Sequence, residues 1–190
     1  MTRYRPLRRS IRLLCACLCL AAVPAAAQFI AKTVVFEGVT PYSQADLQAA
    51  AALKPGSAFT QDSLAKTAQR LQDTGAFADV QAAVAGPPDA MAITFKITPR
   101  AASQMLAVTF VNFPWPPAAL AAELHQRVPL FNGTLPEAGN LQTTVTDALE
   151  KMLAAKQIAT SIATRVLDAT PTHPTRTLEF RIDSPAAAPQ

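Results

Sequence analysis

His125 and His173 are the only imidazoles in the 190 residues. A histidine can carry a proton or bind a metal, but either task needs partners at set spacing, either a carboxylate beside it or further Cys and His ligands. No cysteine and no carboxylate pair stands near either one, and Cys15, Cys17 and Cys19 all fall at the N-terminal end. Ser103, Ser161 and the threonine-rich run from Thr160 to Thr164 suit linker and strand positions better than a nucleophile. Asn132-Gly133-Thr134 has the spacing of a glycosylation acceptor, yet Asn-Gly is first a turn signal. We expect no catalytic residue, no metal site and no cofactor. In Phe113-Pro114-Trp115-Pro116-Pro117, Phe113 and Trp115 could form a hydrophobic contact for a partner. The preferred reading has Trp115 stapling its loop onto its own helix or packing at a domain junction.

The elements that carry these residues occur twice. Val34-Val35-Phe36-Glu37-Gly38 returns as Val108-Thr109-Phe110-Val111-Asn112, and Ile93-Thr94-Phe95-Lys96-Ile97 as Leu178-Glu179-Phe180-Arg181-Ile182. Between the members of each pair lie two helix-like stretches, so the simplest organisation is two copies of one small domain. In the first copy Val34 and Phe36 alternate with Thr33, Val35 and Glu37, as in a half-buried strand. Ser43, with Asp46 three residues on, opens a helix, Lys54-Pro55-Gly56 stops it, and Thr60 opens a second one that leaves through Gly75. Strands over 77–84 and 91–97 follow. The second copy repeats the order: a strand around Val108, a helix begun by Pro116 and Pro117, a second with the stripe Leu141, Val145, Leu149 and Met152, then strands over 158–167 and 177–182.

Residues 1–27 read as a secretory signal peptide: five arginines, the apolar run Leu13 to Val23, then Ala25-Ala26-Ala27, with cleavage expected after Ala27. The run is too short for a membrane span, which needs roughly 20 residues. Twin-arginine export through Arg8-Arg9 and a lipoprotein reading of Leu14-Cys15-Ala16-Cys17 fit less well. Five of the 17 Lys and Arg leave with this segment and none of the 13 Asp and Glu, so a chain with net charge +4 becomes one with 12 basic and 13 acidic residues. Nucleic-acid binding thereby loses the basic surface it needs. The expected division is 28–99 for the first domain, 100–103 for the linker, 104–184 for the second domain, and a disordered tail at 185–190.

Val34-x-Phe36-x-Gly38, Tyr42-Ser43-x-x-x-Leu47, Leu53-Lys54-Pro55-Gly56, Phe59-Thr60-x-x-x-Leu64 and Gly75-x-Phe77-x-x-Val80 together resemble the polypeptide-transport-associated (POTRA) domain of outer-membrane assembly and translocation proteins. Phe110-x-Asn112, Val128-Pro129, Gly133 and Leu141 resemble its variant in later domains of such tandems. Lys156-Gln157-Ile158 departs from the family, which places a glycine and an aromatic there. The resemblance implies an α+β fold of two tandem β-α-α-β-β domains, each a three-stranded mixed sheet packed under two helices. It also implies that the second strand of each copy, here 78–84 and 159–166, is an open sheet edge able to accept an extended segment of another protein.

The residues so implied are Val80, Gln81 and Ala82 in the first copy and Ser161, Ile162 and Ala163 in the second. The expected partners are unfolded or extended polypeptides, or barrel components of outer-membrane assembly or secretion, with no nucleic acid, no metal, and membrane association only through partners. The expected protein is a non-enzymatic periplasmic adaptor or chaperone-like module. The alternatives are a cell-envelope scaffold of the division or two-partner-secretion type, or a soluble remnant or split partner of a separately encoded barrel. The family's best-known members continue into a transmembrane barrel, which the sequence up to Gln190 is not expected to build.

Overall fold

The computed structural model describes residues 28–38, 40–171 and 174–182. The expected signal peptide with the three cysteines, Val39, His173 and the expected tail lie outside the described residues.

The first unit starts with strand β1 (Phe29–Glu37), in which Val34 and Phe36 are buried while Thr33, Val35 and Glu37 are exposed. Helix α1 (Gln44–Ala51) is opened by a reciprocal cap. The Ser43 hydroxyl accepts the Asp46 N–H at 3.1 Å, and the Asp46 carboxylate accepts the Ser43 N–H at 3.3 Å. Both groups would otherwise be orphaned at a helix start. Strand β2 (Ala58–Phe59) and helix α2 (Gln61–Asp73) follow, with Thr60 and Ser63 capping in the same way. Strands β3 (Phe77–Ala85) and β4 (Met91–Pro99) complete the unit.

The sheet order is β2-β1-β4-β3, with β1 parallel to β4 and β3 antiparallel to it. Phe36 stacks on Phe95 with ring centroids 4.9 Å apart. Val34, Ile93 and Ile97 complete the apolar face beneath the helices.

The second unit repeats this plan with β5 (Met105–Val111), α3 (Pro117–Arg127), β6 (Thr134–Pro136), α4 (Leu141–Ala155), β7 (Ile162–Leu167) and β8 (Thr177–Ile182), in the order β6-β5-β8-β7. The duplication extends to register: Val34 pairs with Ile93 and Phe36 with Phe95, as Val108 pairs with Leu178 and Phe110 with Phe180. The expected α+β tandem is therefore present. Each sheet gains a fourth strand, β2 or β6, of two or three residues. Strands that short leave no alternation to read in a sequence.

Strand β7 begins at Ile162, later than the expected 158, because the chain first closes α4. The amides of Lys156, Gln157 and Ile158 return to the carbonyls of Leu153 and Ala154, and Gln157 adopts φ 60°. This is where the family has its glycine, so a side chain occupies a left-handed position that glycine fills without steric cost. Gln157→Gly is expected to raise the unfolding free energy by about 1 kcal/mol. Urea denaturation checks this, and an unchanged midpoint would refute it.

Candidate functional site

Among the described residues strand β3 pairs only with β4, and β7 only with β8, so each stands at the outer border of its sheet. The opposite border of the first sheet is closed. There Phe59 and Ala58 pair with Phe29 and Ile30, and Ala31 accepts the Gly56 N–H and donates to the Ser57 carbonyl.

An unpaired strand border exposes a row of amides and carbonyls, which soluble proteins usually guard with lysine, proline, a bulge or a covering segment. The nine residues of β3 contain no Lys, Arg or Pro, and their only irregularity is a register shift between Phe77 and Asp79. In β7 the one charge is Arg165.

Along β3 the side chains divide by parity. Val80, Ala82 and Val84 line a groove of about 340 Å³ against Leu64, Ala65 and Ala68 of α2. Val80 is buried, Ala82 is exposed, and Val84 remains 45% exposed. Gln81 lies on the other face, with its amide donating to Asp79 at 2.8 Å. In the second unit Ser161 is exposed immediately before β7, Ile162 is half-buried and Ala163 exposed.

One pair of residues was not singled out from the sequence. Val166, 43% exposed, pairs with Leu178 in the way that Val84 pairs with Ile93. The spacing Val80-x-x-x-Val84, repeated as Ile162-x-x-x-Val166, was the available signal.

Arg165 is held to the sheet by Glu179, directly opposite it on β8. Its Nε donates to Glu179 Oε1 at 2.9 Å, and Arg181 Nε donates to the same oxygen at 3.1 Å. The Arg165 hydrogen bond holds this carboxyl below the usual 4.5, burial opposes it, and Arg181 adds to the lowering. A carboxylate lowered by folding stabilises the folded state above its unfolded pKa, and that contribution disappears as pH falls through the folded value. The melting temperature is therefore expected to fall more steeply below pH 4.5 in the parent than in Glu179→Gln. Superimposable pH profiles would refute the assignment.

Phe113 and Trp115 are both half-buried. Phe113 meets Phe110 edge-on at 5.6 Å, and Lys156 Nζ lies 5.1 Å from the Trp115 ring centroid. Both rings are thus engaged by their own unit, Trp115 by Lys156 at the end of α4.

His125 bridges the units. Its Nδ1 lies 2.8 Å from the Phe131 carbonyl oxygen and its Nε2 3.3 Å from Asp46 Oδ1 on α1. Asn132 Oδ1 accepts from the Thr134 amide and hydroxyl at 3.2 and 2.7 Å, which closes the turn into β6.

Between the units lies a cleft of about 830 Å³ whose lining includes Tyr42, Pro99, Arg100, Met105 and Arg176. The Tyr42 hydroxyl is buried there without a hydrogen-bond partner among the described residues, and burial pushes its pKa up. Arg176 is engaged by Glu137 at 2.8 Å and Asp168 at 3.5 Å. Among the described residues no three His, Cys, Asp or Glu side chains converge as a metal site would require. No helix among them is long and apolar enough to cross a membrane.

Two copies of one mixed sheet under two helices, each with a border strand, define a tandem α+β fold. Residues 29–100, the first unit, match the family model for POTRA, described as the surface antigen variable number repeat, and the second unit has the same strand order as the first.

Among solved structures, the N-terminal domain of Omp85 from the thermophilic cyanobacterium Thermosynechococcus elongatus is 22% identical. That match covers 80% of this chain and 62% of the other, with a TM-score of 0.38. POTRA1-2 of the periplasmic domain of Omp85 from Anabaena is 16% identical over 80% of this chain and 94% of the other, with a TM-score of 0.38. POTRA3-5 of BamA from Haemophilus influenzae is 14% identical over 82% of this chain and 66% of the other, with a TM-score of 0.36. Comparison with curated proteins gave no match.

Proposed function

We propose that this protein is a periplasmic polypeptide-binding module that takes extended segments of partner proteins along β3 and β7, in outer-membrane protein assembly or secretion. The observation that carries the reading is the sheet order, which leaves both strands at a border, β3 without lysine or proline and irregular only at its start, and β7 with Arg165 as its one charge. Backbone pairing supplies affinity with little sequence preference, while the groove beside α2 favours a small apolar side chain at alternate positions. The POTRA match of the first unit and the signal-like start of the chain support the cellular setting. We place the domain limits at 28–99 and 104–184.

Photo-crosslinkers at Gln81 and Ser161 test the mechanism in cells. Capture of a partner strand is expected there and not at the exposed helix positions Ala49 and Glu150; capture only at the helix positions would overturn it. The captured partner also decides between roles, since barrel proteins support assembly or secretion and division components support an envelope scaffold.

A further inference from the structure

The junction between the units is made largely of backbone. Gly75, just beyond α2, has φ +79°, and a Cβ there would overlap the Ala138 carbonyl of the second unit. Facing it, Gly139 has φ +120°, and a Cβ there would overlap the Thr74 carbonyl of the first. Each glycine is therefore required twice, by its own backbone conformation and by the chain that crosses it.

Beside this crossing, the amides of Asn140 and Leu141 at the start of α4 donate to the carbonyls of Asp73 and Thr74 at the end of α2, at 2.9 and 3.3 Å. Amides at a helix start and carbonyls at a helix end have no partners within their own helix. Here each unit satisfies the other's, and the negative end of the α2 dipole meets the positive end of α4. The Asn140 side chain makes no cap of its own. The Arg100 guanidinium of the linker donates to the Gly75 carbonyl, and His125 reaches Asp46 at 3.3 Å.

From this interlock we infer that the tandem is a two-border clamp. Gly75 and Gly139 hold β3 and β7 at one fixed spacing, and the partner that fits is a single polypeptide carrying two extended segments, provided that these borders pair such segments as proposed above. The two borders bear the same apolar mark at the same register, Val84 opposite Ile93 and Val166 opposite Leu178. Once one segment is paired, a fixed spacing makes the second pairing intramolecular, which multiplies affinity without a new contact. A loosely tethered pair would spread that gain over many spacings.

Two measurements on the exported protein test the clamp. Spin labels at positions 81 and 161 are expected to give one narrow distance distribution, which broadens in Gly139→Ala while the circular dichroism of both units is kept. Asn140→Pro, which removes an inter-unit donor and sets its ring carbon against the Asp73 carbonyl, should broaden it as well and serves if Gly139→Ala does not fold. A distribution equally narrow in the parent and in the variant that folds would overturn the interlock.

For binding, the probe is the peptide Lys-(Val-Thr)3-Lys, alone or as two copies joined by a flexible linker of about 20 residues. The joined probe is expected to bind the parent roughly a hundredfold more tightly than the single one, and the interlock variant with most of that gain lost at unchanged single-probe affinity. An equal gain in parent and variant, or none in the parent, would refute the clamp while leaving border pairing intact. Failure of the single probe to bind at all would remove border pairing and two-segment capture together, and the spin-label distances would then still decide whether the junction is rigid.

Discussion

Phe95→Ala is expected to lower the unfolding free energy by about 3–5 kcal/mol, a large part of what a domain of this size has. Phe95 is fully buried in the central strand β4, pairs in register with Phe36 on one side and Ala82 on the other, and stacks on the Phe36 ring. Removing the ring leaves a cavity that two sheet strands cannot close without losing their hydrogen bonds. Urea unfolding followed by circular dichroism measures the loss. Val35→Ala, one position from Phe36 but 43% exposed, is the control and should cost less than about 0.5 kcal/mol. Equal losses in the two variants would show that the core does not lie on the face assigned to it.

Gly38→Ala is expected to cost about 2–4 kcal/mol, because two penalties fall on one residue. Its φ of +130° disfavours any side chain, and a Cβ would overlap the Ile97 carbonyl, a backbone group that cannot turn aside. Gly56→Ala separates the two effects. Gly56 has φ +88°, and a Cβ added there would meet nothing within 4 Å, so only the conformational part, about 1 kcal/mol, should appear. If Gly56→Ala proved as damaging as Gly38→Ala, the close approach to Ile97 would not be what holds glycine there.

The parts of the fold legible in the sequence are those built from local rules. Ser43 with Asp46 and Thr60 with Ser63 open helices where a hydroxyl three residues ahead of a second polar side chain can satisfy both caps. The alternation of Val34 and Phe36 identified the buried face of β1, and the repeat paired Phe95 with Phe180 before any contact was known. Elements that depend on distant chain were not legible. β2 exists because Phe59 meets Phe29, and α4 is capped by carbonyls of another helix rather than by Asn140. The border strands were placed through family resemblance; β3 and β7 lie at the ends of their strand orders, and Ser161 falls just ahead of β7. Val84 and Val166 went unremarked because an exposed valine looks ordinary until its neighbours across the sheet are known.

The bareness of β3 also has a practical side. A row of nine residues with no lysine or proline to repel a twin can zip against the same row of another molecule. Concentrated stocks should therefore form antiparallel pairs or longer stacks, which a short extended peptide in excess is expected to disperse.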